Sequence, residues 1–264
     1  LPGPPTDLSM WKHPGVESVH STRQPMEAPR PIDRRTLIHE AHGLAEIPRL
    51  VWRAPSLLGR PRGRDAPVVV LPGFAADDGS TLLLRGYLRS LGYKARGWGL
   101  GRNRGNVPTL IPRVIEVVAG HAERHGQSVR LVGWSLGGNL ARETARERPD
   151  IVDRVITLGT PAVGGPKYTA VAERYRRRGY DLDAIEEEVA NRERVPIQVP
   201  IVAIYTRSDA IVSWQACLDR TNPNVEHVEV ETTHLGLGFS PEVYGVIADR
   251  LAAAEQDRPA RPAA

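Results

Sequence analysis

The chain has 264 residues, 41% of them hydrophobic, which is enough for one large α/β domain with a substantial core. No apolar run reaches the roughly 18 residues of a membrane-spanning helix, and the single cysteine, Cys217, excludes an intrachain disulfide. The net charge of +4 is nearly all arginine, is spread along the chain among acids, and reads as a solvated surface with no nucleic-acid footprint.

Residues 1–35 are rich in proline and poor in periodic apolar pattern, and are expected to form an extended arm. No basic segment followed by an apolar stretch opens the chain, so the expectation is a cytoplasmic protein, with secretion after loss of a leader as the alternative. Over 36–59, Leu37, Ile38, Ala41, Leu44, Ala45 and Leu50 fall at mostly helical spacing. This segment carries His39 and His42, a pair without an evident third metal ligand. His121 and His125 stand at i, i+4, but the glutamate between them is one place off the H-E-x-x-H pattern, and an exposed helical face is the better reading.

From Ala66 onward strand and helix signals alternate. Val68–Leu71 reads as a buried strand, Thr81–Leu91 as a helix and Tyr93–Trp98 as a strand that ends in the glycine-rich 99–105. A helix follows over Leu110–His125, with Pro112 in its first turn, where a missing N–H costs little. Strands are expected at Val129–Val132, Val152–Leu158, Pro200–Tyr205 and Val225–Val230, and a closing helix at Pro241–Ala254. This alternation predicts an α/β fold with a mostly parallel sheet covered by helices on both faces. The domain is expected over 36–254, with a flexible tail at 255–264.

The centre of the pattern is Gly133-Trp134-Ser135-Leu136-Gly137, between the strand at 129–132 and a helix that Pro149 stops. G-x-S-x-G between strand and helix is the setting of a nucleophile elbow. There Ser135 takes a strained backbone, and the two glycines avoid a collision across the bend. A serine hydroxyl needs a base to take its proton. Only His227 and His234 follow Ser135. His227 lies within a strand, whereas His234 lies just beyond it, where a base can reach the carboxyl edge of the sheet. Asp209, beyond the preceding strand, is the expected acid that orients it, and Asp219 is the weaker candidate. The N–H of Leu136 and that of Phe74, in Leu71-Pro-Gly-Phe74, are the expected oxyanion donors.

These stretches, with Leu158-Gly-Thr-Pro161 and Ser208-Asp209-Ala-Ile-Val212, resemble the α/β-hydrolase superfamily, specifically bacterial serine esterases and lipases. The resemblance covers residues 67–254. It implies an α/β-hydrolase fold, a carboxylic ester hydrolase working through an acyl-enzyme on Ser135, and a small-molecule or lipid-like ester as substrate. Thioesterases and acyltransferases share the same residues, and a non-catalytic binding protein with this fold is the reading from another class. Many similar lipases carry a histidine where this chain has Pro72 or Ala162. No motif implies a cofactor or a metal, and none fixes an oligomeric state.

The stretch between Leu158 and Pro200 is too long for a simple crossover. Tyr168, Val171, Ala172 and Tyr175 fall at i, i+3, i+4 and i+7, one stripe of a helix that Gly179 can end. Asp183 with Glu186 fits a capping box for a second helix. The expectation is a helical cap over about 162–198, with Trp134, Tyr168, Val171 and Tyr175 walling an acyl pocket.

Overall fold

The computed structural model describes residues 29, 30, 32 and 34–256. The arm up to residue 28 and all but the first two residues of the tail lie outside the described residues.

Strands β1 (Pro67–Leu71), β2 (Lys94–Gly97), β3 (Val129–Trp134), β4 (Val152–Leu158), β5 (Ile201–Tyr205) and β6 (Val225–Glu229) form one sheet. Their order is β2-β1-β3-β4-β5-β6, and every pairing is parallel. Helices α1 (Glu46–Leu58), α2 (Leu82–Ser90), α3 (Val107–His125), α4 (Leu136–Glu147), α5 (Ala172–Arg177), α6 (Leu182–Arg192) and α7 (Pro241–Gln256) connect or flank them.

Why β1 and β5 are unbroken apolar runs, and β3 nearly one, follows from the layering. Side chains alternate between faces along a strand. Val68, Val70 and Val132 join Leu57 of α1, Leu84 and Leu88 of α2 and Ile247 of α7 in one core. Val69, Leu71 and Leu131 join Val114 of α3 and Leu140 of α4 in the other. Both faces are covered, so neither set can be polar. At the edge, β6 is largely exposed, with two half-buried valines among Glu226, His227 and Glu229.

Several boundaries differ from the periodicity. The helix expected over 36–59 is two pieces, a 3-10 run Arg34–Ala45 and then α1. The first piece is docked by its backbone: a Cβ on Gly43 would lie 2.4 Å from the Gly236 nitrogen. Helix α3 starts at Val107, so Pro112 falls inside it and not in its first turn, removing a bond to the Pro108 carbonyl. His121 is buried rather than exposed, with Nε2 2.9 Å from the Lys94 carbonyl and its ring edge-on to His125. Burial pushes its pKa down.

Between β4 and β5 the single stripe is broken. Tyr168 ends a short 3-10 turn, Gly165–Tyr168. Thr169 pairs with Val212 in an isolated antiparallel bridge, and α5 begins only at Ala172. The cap of α6 is Asp181, not Asp183: its Oδ1 accepts from the N–H groups of Asp183 (2.9 Å) and Ala184 (3.2 Å). Asp183 instead meets Lys167 Nζ at 2.6 Å.

A buried ionic cluster ties this region to α4. Arg142, on α4, donates to Asp219 Oδ2 at 2.6 Å and to Glu193 Oε1 at 2.9 Å. Arg146 reaches the same Glu193 oxygen at 2.5 Å, and Arg192 reaches Glu143 at 2.5 Å. Asn222 completes the shell of Asp219 at 2.7 Å. Asp219 is thereby committed to holding helices together. Burial alone would raise its pKa, but the charge and hydrogen bond of Arg142 win and bring it down to about 2. This contribution to stability is complete above 3.8, the ordinary carboxylate value, and is lost as the pH falls toward about 2. Asp219→Ala removes one partner of a buried charge and is expected to cost about 3–5 kcal/mol in urea unfolding at neutral pH. A loss below about 1 kcal/mol contradicts this assignment.

Candidate active site

The turn from β3 into α4 puts Ser135 at φ +54° and ψ −120°, where a side-chain-bearing residue costs of order 1–3 kcal/mol. Neighbours hold it there. Its N–H donates to the Leu158 carbonyl at 2.7 Å, and its carbonyl accepts from Thr160 Oγ1 and from the Gly138 N–H, each at 2.9 Å. A Cβ on Gly133 would lie 2.4 Å from the Gly137 carbonyl oxygen, and one on Gly137 would lie 2.2 Å from the Leu71 carbonyl oxygen. Both motif glycines are thus demanded by close backbone approach.

His234 and Asp209 are both buried, on the loops beyond β6 and β5. Asp209 divides its carboxylate. Oδ1 accepts from the N–H groups of Ile211 (2.8 Å) and Val212 (2.6 Å), which fixes the rotamer. Oδ2 faces His234 Nδ1 at 2.6 Å. A carboxylate only accepts, so Nδ1 carries a proton, and in the neutral ring Nε2 keeps its lone pair. Trp134 Nε1 donates to the His234 carbonyl at 3.2 Å, fixing the loop from the elbow side. Burial disfavours the imidazolium, but the Asp209 charge, its hydrogen bond and the charge of Glu40 outweigh it, so His234 sits above the ordinary imidazole value. His227 is elsewhere, on β6, where its Nε2 accepts from the Asp219 N–H at 3.0 Å.

The loop after β1 reaches the elbow because β1 and β3 are paired, Leu71 opposite Gly133. Gly73 lies against Ser135: a Cβ on it would be 3.4 Å from the serine Cβ. Leu136 is the first residue of α4, so its N–H has no acceptor within the helix. The Phe74 N–H makes no hydrogen bond among the described residues. Asn103 was not foreseen. It is fully buried, its Nδ2 donates to the Pro72 carbonyl at 3.0 Å, and its backbone bonds Ala75 (2.7 Å) and Ala76 (2.8 Å). It thus pins residues 72–76. The glycine-rich loop that carries it was visible, but its partner across the sheet edge was not.

Ser135, Leu136, Phe74, Trp134 and His234 open onto one cavity of about 630 Å³. Val171, Tyr175, Ile185 and Val189, from α5, α6 and the turn before them, wall its far side. Tyr175 packs on Phe74 (ring centroids 5.9 Å apart) and donates to the Gly105 carbonyl at 3.2 Å. Burial pushes its phenol up to about 12. Tyr168, expected in this wall, is not among the lining residues. Its hydroxyl donates to Glu186 at 2.7 Å instead, because the break at Thr169 takes it off the α5 stripe.

Neither a protein-family model nor a curated relative matches the chain by sequence. Solved structures do match by shape. One is a metagenome-derived lipolytic enzyme, 14% identical with a TM-score of 0.56, over 75% of this chain and 96% of that one. Another is the monoacylglycerol lipase of Paleococcus ferrophilus, 16% identical with a TM-score of 0.54, over 74% and 97%. A third is mouse alpha/beta hydrolase domain-containing protein 10, 18% identical with a TM-score of 0.51, over 75% and 92%. This chain has the α/β-hydrolase fold.

In an α/β-hydrolase sheet, the crevice lies beyond the carboxyl ends of the strands, where strand order reverses. Here that point is between β1 and β3, and the cavity lies there. The raised pKa of His234 has a testable sign. The paired imidazolium contributes stability that is complete below the unfolded value of 6.5 and is lost as the pH rises through the folded value. NMR titration of the His234 ring is expected to place its midpoint above 6.5. A midpoint below 6.5 would mean that burial outweighs Asp209.

Proposed function

We propose that this chain is a serine hydrolase that cleaves carboxylic esters carrying an apolar acyl group. The observation that carries the reading is the 2.6 Å contact between Asp209 and His234, made where His234 and Ser135 open onto one mostly apolar cavity. Ser135 is the nucleophile, His234 the base and Asp209 the group that orients it. The Ser135 oxygen attacks the ester carbonyl while His234 Nε2 takes its proton. The N–H groups of Phe74 and Leu136 receive the oxyanion. Collapse expels the alcohol, which takes its proton from His234, and leaves an acyl-enzyme. Water, deprotonated by His234, then releases the acid and restores Ser135.

We further propose that 162–198 acts as a cap and that Val171, Tyr175 and Trp134 bound the acyl chain. Each methylene buried in such a wall is worth about 0.8 kcal/mol, roughly fourfold in kcat/KM. The cavity size is in the range of small-ligand sites, about 300–1,000 Å³.

Ser135→Ala is expected to lower kcat on p-nitrophenyl esters by roughly 10⁴- to 10⁶-fold with folding intact, and to abolish labelling by a fluorophosphonate. Undiminished turnover in that variant would falsify the serine mechanism. On a chain-length series, Val171→Trp is expected to shorten the preferred acyl chain, with acetate turnover changed by less than about tenfold. An unchanged profile in the folded variant would leave 162–198 as mere padding.

A further inference from the structure

The catalytic reading uses three side chains, only one of them an acid, yet a second buried acid sits beside them. Glu40 comes from the 3-10 run Arg34–Ala45, ahead of the sheet, and is 4% exposed. Its Oε1 accepts from the Ala210 N–H at 2.8 Å, and its Oε2 accepts from the Leu235 N–H at 2.8 Å. Ala210 directly follows Asp209, and Leu235 directly follows His234. One carboxylate therefore spans the acid loop and the histidine loop. The close approach of Gly43 to Gly236 docks the same segment on the histidine loop, which leaves Glu40 little freedom to withdraw.

We propose that Glu40 is a positioning residue that straps the Asp209 loop to the His234 loop and sets the spacing of their side chains. This rests on the serine-hydrolase reading above. The chemistry selects glutamate. Both partners are donors, so both ends must accept. Glutamine would turn its NH₂ toward one N–H and leave that buried donor unpaired. Aspartate is one methylene too short to reach both. The charged groups acting on His234 are Asp209 and Glu40, so the strap also favours the imidazolium that forms as Ser135 loses its proton. Glu40 does not line the cavity, so substrate binding is expected to be insensitive to it.

A control lies a few residues on. Glu46 is also buried and accepts from Thr232 Oγ1 at 3.3 Å and from Arg49 at 2.9 Å, but none of its hydrogen bonds among the described residues is to Ala210 or Leu235. The full-length chain is compared with E40Q, E40D and E46Q by thermal melt and by kcat and KM on p-nitrophenyl butyrate across pH. E40Q is expected to lose roughly 10- to 100-fold in kcat, with KM within about threefold, because a misplaced base slows the chemistry more than binding. Its acidic limb moves to lower pH. E40D keeps the charge, so its limb stays near the native one while kcat stays low. E46Q loses thermal stability but keeps the native kcat and limb. Native kcat and limb in E40Q overturn the proposal, and so does equal loss in E40Q and E46Q with the limb unmoved. If E40Q does not fold, native kcat in E40D overturns it alone. Ser135→Ala run in parallel separates the layers. If that variant stays active the serine reading fails, and if it is dead while E40Q is native only the strap fails.

Discussion

The parallel pairing of β1 with β3 is the constraint on which the site depends. It places Leu71 opposite Gly133, so the chain leaving β1 and the chain leaving β3 must diverge from adjacent strand ends. The elbow turns back into α4 so closely that a Cβ on Gly137 would meet the Leu71 carbonyl oxygen at 2.2 Å. Two backbone segments at that spacing leave no room for side chains between them. Their free N–H groups can then face a common point. The sheet creates this arrangement, and Asn103 holds the loop after β1 in it.

Polar groups around the site are held by full occupancy. Asp209 spends one oxygen on the Ile211 and Val212 N–H groups and has the other for His234. Thr160 and the Leu158 carbonyl hold both ends of the Ser135 peptide. Each bond contributes only about 1 kcal/mol net, but each would leave a buried group unpaired if the backbone relaxed. That penalty makes the strained φ of Ser135 affordable and keeps the loops from drifting apart.

What the sequence made legible is what is local. Ser135 directly follows β3, Asp209 and His234 lie in the loops just past β5 and β6, and strands buried on both faces are plain in runs such as Val68–Leu71. Glu40 was invisible because its partners are 170 and 195 residues away. No periodicity reports a contact of that span. Asn103 is hidden in the same way, since its hydrogen bonds cross from the loop after β2 to the loop after β1. Tyr168 departs from its expected place for a different reason: helical spacing runs through Thr169, whose pairing with Val212 breaks the stripe. Asp219 stands as the weaker candidate for the orienting acid because nothing local shows that Arg142, on a distant helix, needs it.

The wall of the cavity and the oxyanion loop are not independent parts. Tyr175 packs on Phe74 and bonds the Gly105 carbonyl, while the Gly105 N–H donates to Asn103 Oδ1 at 3.1 Å. Asn103 in turn pins the backbone on either side of Phe74. A group pressing on α5 therefore presses on the loop that carries a proposed oxyanion donor. At its other end the helical wall is anchored by Glu193 and Arg192 to α4, the helix that starts at the second donor. On the serine-hydrolase reading, both donors are thus braced against the surface that meets the acyl chain. Acyl fit can then reach the transition state through packing, with no moving lid, and a wall substitution that loosens Tyr175 costs rate as well as selectivity.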